Sequence, residues 1–297
     1  MSGKGKNAID MTGGSLWKNI LVFSLPLMMT QMLEVLFNLS DVAIAGKYAD
    51  YIALGAVGST ALLVSLFTGI LIGMGAGVNV RTAHQLGAEK TSGSSETVAR
   101  TVYSGLIVCL IIGIILCLVC NIFARPMLET LKTKDELIES AVLYLKIYAL
   151  GMPAMAVYNF GNGVLSACGE TKKPLVYLSI AGVLNVILNI FFVVVCKKAA
   201  DGVAIASVIA QYLSASMIMC HLLRRKDSCK LRLSNKYFDT SACGGVLMIG
   251  IPTGMQNAIF AVANLFVQTG VNHFDAVMVS GNSAAQNADT LIFNVMA

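Results

Sequence analysis

Four polar side chains, Gln31, Glu34, Asn38 and Asp41, stand in an apolar segment that runs from Leu16 to Gly46. Their spacing is i, i+3, i+7, i+10, so on an α-helix all four share one face. The residues around them are mostly Leu, Val, Met, Phe and Ile. A charged group inside a bilayer costs several kcal/mol, and a stripe of them facing lipid would not persist. The stripe is therefore expected to face a wet cavity, on the path of an ion or a substrate. Helix–helix adhesion is the competing use, and it suits the amides Gln31 and Asn38 better than the carboxyls Glu34 and Asp41. Burial favours the neutral form of a carboxyl unless a cation or a donor stabilises the anion. Proton exchange at such a group is then accessible near neutral pH.

A second polar pair, Asn185 and Asn189, lies at i, i+4 among Val, Ile, Leu and Phe. Its amides can coordinate a cation or hydrogen-bond a carboxylate. They can equally hold two helices together.

The elements that must position these residues are membrane helices. The 297 residues are 56% hydrophobic and only 12% charged, about half the charged share of a soluble domain. The apolar residues fall in blocks of about 20, the length needed to cross roughly 30 Å of hydrocarbon. In that solvent backbone groups must pair within the helix, so the fold class is an all-α polytopic membrane protein. The pattern places eight spans, at about 17–45, 53–80, 99–123, 141–166, 175–196, 202–223, 244–269 and 276–297. Pro26, Pro153 and Pro252 lie inside spans or at their starts, where each removes a backbone hydrogen bond. Gly69, Gly73 and Gly77 form a small-residue face for close helix packing.

Lys and Arg set the orientation. Fourteen fall on the side of the N-terminus, including Arg224, Arg225, Lys226, Lys230, Arg232 and Lys236 in one loop; six fall on the other side. The N-terminus is expected to be cytoplasmic. The net charge of +5 lies in loops, so it reports topology, and nucleic acid is not an expected partner. The cysteines in or beside apolar segments, Cys109, Cys117, Cys120, Cys168, Cys196 and Cys220, read as buried thiols rather than a metal or redox site. There is no Walker motif, no Ser-His-Asp order and no cofactor signature, so neither an enzyme nor a resident cofactor is expected.

The chain also repeats itself. Leu25-Pro26 matches Ile251-Pro252, Gln31 matches Asn257, and Asn38-Leu39 matches Asn264-Leu265, all at an offset of 226 residues. Six spans separate the copies, which implies a parallel repeat of six-helix halves. Asn257 and Asn264 thereby join Gln31 and Asn38 as expected cavity residues. The positions matching Glu34 and Asp41 are Phe260 and Val267, so only the first half has carboxylates at these positions. On this logic a complete molecule has about twelve spans and roughly 450 residues, and the chain reads as its N-terminal portion. The expected layout is a cytoplasmic segment 1–16, an N-lobe 17–223, a basic inter-lobe loop 224–243, and the start of a C-lobe 244–297.

These motifs resemble the multidrug and toxic compound extrusion (MATE) family. The likeness rests on Leu25-Pro26, Phe37-Asn38-Leu39-Ser40-Asp41, Ala53-Leu54-Gly55-Ala56, Gln85-Leu86-Gly87-Ala88, Cys168-Gly169-Glu170-Thr171 with Pro174, Asn185 to Asn189, and Gly250-Ile251-Pro252. The resemblance implies a six-helix lobe followed by the first two helices of a second lobe. It implies export of organic cations and other amphipathic drugs across the plasma membrane in exchange for H⁺ or Na⁺, by a protein that is monomeric at full length. It assigns the coupling cation to Asp41, with Asn185 as its partner, Asn189 where many members have Asp, and Glu34 where Gln is expected. A neutral span 7 points to the branch resembling the DNA-damage-inducible F-type proteins. Two other functions stay open: a lipid-linked oligosaccharide flippase, which would need cavity cations, and a non-transporting membrane scaffold.

Overall fold

The computed structural model describes residues 16–49, 51–92, 95–131 and 133–271. They form eight α-helices: α1 Leu16–Tyr48, α2 Tyr51–Ser92, α3 Ser95–Thr130, α4 Asp135–Ala149, α5 Met152–Ala167, α6 Lys172–Ile190, α7 Ala200–Arg224 and α8 Thr240–Val271. A π-helical turn, Phe191–Val195, continues α6. Among the described residues six helices are long and apolar enough to cross a membrane, and α4 with α5 makes a seventh, bent by 44°. The eighth expected span, 276–297, lies outside the described residues.

The expected span 141–166 is thus two helices. Hydropathy runs on across the join, but Pro153 has no N–H to give to the preceding turn, and α5 restarts with it in its first turn. Gly151 sits at the break against the Gln211 side chain, where a Cβ would overlap it. The break sets Tyr148 at the end of α4 beside Met155 and Asn159 on α5.

Helix α2 is the central post. Gly69 meets Asn257, Gly73 meets Gly254, and Gly77 meets Gly250 and the Val246 carbonyl, all on α8. Gly75, on another face of α2, meets the Asn159 backbone on α5. Without side chains at these positions the helix backbones touch, which is how helices gain packing in lipid. Outward faces are apolar: Ile111, Ile115, Leu118 and Ile122 form an exposed stripe on α3, as hydrocarbon solvent requires.

One end of the bundle is tied by a buried ion cluster. Glu170, in the turn between α5 and α6, pairs with Lys173 at 2.7 Å and with Arg225, just past α7, at 3.3 Å. Arg225 also pairs with Asp227. Gly169 opens that turn with φ 79, a left-handed conformation that glycine adopts without strain. Cys168 faces Cys229 across the same junction. Cys168, expected as a buried apolar thiol, meets a second cysteine there because the chain after α7 folds back onto the turn. Truncating one member of a buried pair leaves the other charge without its partner. Arg225→Ala is predicted to cost about 2–4 kcal/mol, less than a full break because Lys173 still holds Glu170. Thermal unfolding in detergent should show a melting temperature lower by roughly 5–10 °C.

Candidate functional site

Helices α1 and α6 run in the same direction and touch where the Phe37 ring lies against Gly182; a Cβ on Gly182 would overlap that ring. One turn further along both helices, Asp41 comes level with Asn185 and Asn189. Helix α7 closes the third side. Asn189 Nδ2 donates to Asp41 Oδ1 at 2.6 Å, and Ser207 Oγ donates to Asp41 Oδ2 at 2.8 Å. Asn185 Nδ2 donates to Ser207 Oγ at 3.1 Å, and Asn189 Nδ2 also reaches Asn185 Oδ1 at 3.1 Å. Asp41 is only 5% exposed, and Asn185, Asn189 and Ser207 are buried with it.

This geometry surrounds a carboxyl with neutral donors and no counter-charge from the described cavity wall. Each oxygen has one neutral donor, and charge-assisted bonds of this kind are stronger than neutral ones. Asn189 Oδ1 is buried and accepts no hydrogen bond. An acceptor in that state costs about 1–3 kcal/mol, and it belongs to the amide whose Nδ2 meets Asp41. The Asp41 carboxylate, Asn185 Oδ1 and Asn189 Oδ1 together make an oxygen-rich cluster. Such a cluster suits a hard cation or a proton.

Asp41, Asn185 and Ser207 border a cavity of about 110 Å³, room for several waters or a small charged headgroup. Glu34 lines it too, two turns from Asp41 on α1. Tyr148, from the end of α4, and Tyr158 and Asn159, from α5, complete much of its wall. Two carboxyls line this cavity and no Lys, Arg or His does, among the described residues.

The structure therefore brings Asp41, Asn185, Asn189 and Glu34 to one place. It does not bring the rest of the expected stripe there. Gln31 is half-buried on α1 and does not line the cavity. Asn257 donates to the Gly69 carbonyl at 3.2 Å on the α2–α8 seam. Asn264 is exposed near the end of α8. The Asn38 side chain lies outside what is described. Sequence reasoning missed Ser207 and the cavity residues Gln211 and Ser214. Their spacing on α7, i, i+4, i+7, is the same kind of polar stripe as that on α1, and it was there to be read.

Known proteins share this fold. The MatE family profile matches residues 26–191, from Pro26 on α1 to the π-helical turn after Asn189. The probable multidrug resistance protein YpnP of Bacillus subtilis (strain 168) is 26% identical over 287 residues, covering 96% of this chain and 63% of that protein. The probable multidrug resistance protein NorM of Thermotoga maritima is 23% identical, covering 93% of this chain and 59% of that protein. A solved structure described as the outward-facing conformation of a multidrug resistance MATE family transporter of the MOP superfamily shares the fold, with TM-score 0.85 and 21% identity, covering 98% of this chain and 64% of that one. The chain spans about three fifths of the length of the curated relatives it matches. Because the family profile covers more than half of the chain and takes in both Asp41 and its α6 partners, this multi-pass membrane chain belongs to the MatE family.

Proposed function

We propose that the protein is a secondary active multidrug exporter of the plasma membrane, N-terminus cytoplasmic, driven by inward flow of a monovalent cation, H⁺ or Na⁺. The observation that carries this is the buried Asp41 carboxylate, gripped by donors from α6 and α7. Occupied by a cation, Asp41 no longer needs the Asn189 and Ser207 donors. Helix α1 is then free to repack against α6 and α7, with Pro26 as the weak point of its ladder. That changes the cavity wall and expels the drug. For coupling to work the cation must bind the two arrangements with different affinity. The names of the similar proteins support the drug-export reading. The neutral α8, which carries no acidic residue, supports the DNA-damage-inducible F-like branch. The lipid-linked flippase is the weaker reading, because a diphosphate needs cations and the described cavity wall offers none.

Dye efflux from cells lacking their own pumps tests this directly. The full-length protein should accelerate efflux under an imposed H⁺ or Na⁺ gradient. No acceleration under either gradient would refute drug export and favour the flippase. A local prediction accompanies it. Ser207→Ala removes one donor from the carboxylate, a bond worth about 1.5–3 kcal/mol, and should slow efflux about tenfold or more. Ser207→Thr keeps the hydroxyl and should stay near wild-type efflux in the same assay.

A further inference from the structure

The segment after α7 is docked onto one end of the bundle by contacts that are each reversible. Arg225 pairs with Glu170 in the α5–α6 turn at 3.3 Å. Ser228 Oγ donates to Glu89, near the end of α2, at 2.6 Å. The Leu231 N–H donates to the Leu222 carbonyl at 3.1 Å, and the Leu231 side chain is buried. Inside this docked turn Cys229 meets Cys168, from 61 residues earlier in the chain. Cys168 is half-buried and Cys229 is buried, so one sulfur is open to a small oxidant and the other is shielded. Within five residues of either cysteine the sequence has seven Lys or Arg against two acids, Glu170 and Asp227. Thiol chemistry runs through the thiolate, which nearby cations assist. On the orientation proposed above this junction faces the cytosol. A lasting disulfide is rare there, and transient ones serve redox sensing. Docking also sets the length of the connector into α8. With 225–231 held on the bundle the connector is 232–239; released, it is 225–239.

We propose that Cys168 and Cys229 form an oxidative modification site, a thiol pair whose reversible disulfide locks the inter-lobe loop onto the N-lobe and slows transport. This rests on the orientation and the export reading above. Hydrogen peroxide is the oxidant. The Cys168 sulfur attacks its O–O bond, one oxygen leaves as water, and Cys168 becomes a sulfenic acid. The Cys229 sulfur then displaces the second oxygen as water, and the S–S bond forms. Two thiols are oxidised and one peroxide is reduced to two waters. Exchange with a small thiol such as glutathione restores both cysteines. The bond makes a docked turn permanent, so the connector stays short and α8 loses freedom to move against the N-lobe.

The test treats the full-length protein, in liposomes, with hydrogen peroxide and then with excess reduced glutathione. Mass spectrometry of its peptides should show a Cys168–Cys229 link that appears with peroxide and disappears with glutathione. Trypsin reads the docking. Lys226 and Lys230 are exposed, but cleavage beside them requires the turn to open, so the bond should slow it about tenfold. Gradient-driven dye efflux should fall about fivefold or more in the oxidised protein and recover with glutathione. Cys168→Ser should keep the efflux of the reduced protein and lose all three responses to peroxide. The unmutated protein, oxidised and reduced, carries the test if that variant folds poorly. Absence of the link, a link that survives glutathione, or unchanged cleavage in the linked protein overturns the inference. A slowing by peroxide that persists in Cys168→Ser overturns it too. Cleavage needs no transport, so the two claims fail separately. Slowed cleavage without any efflux from the reduced protein sinks export and leaves the lock on the loop standing. Efflux that ignores the link sinks this inference alone.

Discussion

Asp41→Asn is expected to abolish gradient-driven export, lowering dye efflux by about a hundredfold or to the rate of cells without the protein. The asparagine has nearly the same shape and still accepts at Oδ1 from Asn189. Its amide nitrogen, however, faces Ser207, so two donors meet unless the hydroxyl turns. The substitution therefore removes charge with little change in volume. Coupling free energies of 1–3 kcal/mol correspond to about 5–150-fold, and loss of the only titratable group in the hydrogen-bonded cluster should reach the upper end. Protein amount and melting temperature should change little, because neutralising a buried carboxylate removes a desolvation cost as well as its bonds. Efflux near wild type in Asp41→Asn would remove Asp41 from the coupling role.

The largest effect on folding is expected at Gly73. A Cβ there would lie inside the backbone of Gly254 on α8. Backbone cannot rotate out of the way as a side-chain tip can. Overpacking of this kind costs typically about 1–3 kcal/mol for a methylene or two, and Gly73→Leu adds four carbons where two helices touch. The expected outcome is little or no monodisperse protein on size exclusion. Gly58 on the same helix is the control. It is exposed, and a Cβ there meets nothing within 4 Å. Gly58→Leu should be neutral or slightly stabilising, since glycine is a poor helix former by about 1 kcal/mol. Equal recovery of both variants would show that the α2–α8 seam is not as close as described.

Much of this was legible in the sequence because bilayer physics leaves few options. Asp41 announced itself as a charge that hydrocarbon would reject, and Asn185 and Asn189 as an i, i+4 pair of amides on one face. The spacing of Gly69, Gly73 and Gly77 foretold a close helix contact, and the partner, α8, needed the structure. Other features were illegible for physical reasons. The α4–α5 break hides because apolar residues continue through it, and Pro153 reads equally as a kink or a start. Ser207 could be read only through its spacing with Gln211 and Ser214, because a lone hydroxyl barely alters hydropathy. Asn257 and Asn264 were assigned by repeat equivalence, which fixes a position in a lobe and not the cavity it faces. The difference in donors between Asp41 and Glu34 could not be read at all. Both share one face of α1, and only the donors supplied by α6 and α7 tell them apart.

The central claim is that a cation passes through the Asp41 site in exchange for drug. The most direct measurement is on the full-length protein reconstituted in liposomes, with a fluorescent lipophilic cation on one side and no imposed gradient of H⁺ or Na⁺. Movement of the dye down its own gradient should drive a counter-flow of H⁺ or Na⁺, read with a pH- or sodium-sensitive probe, and Asp41→Asn should eliminate that counter-flow. Dye transport with no accompanying ion movement, or ion movement that persists in Asp41→Asn, would contradict the account.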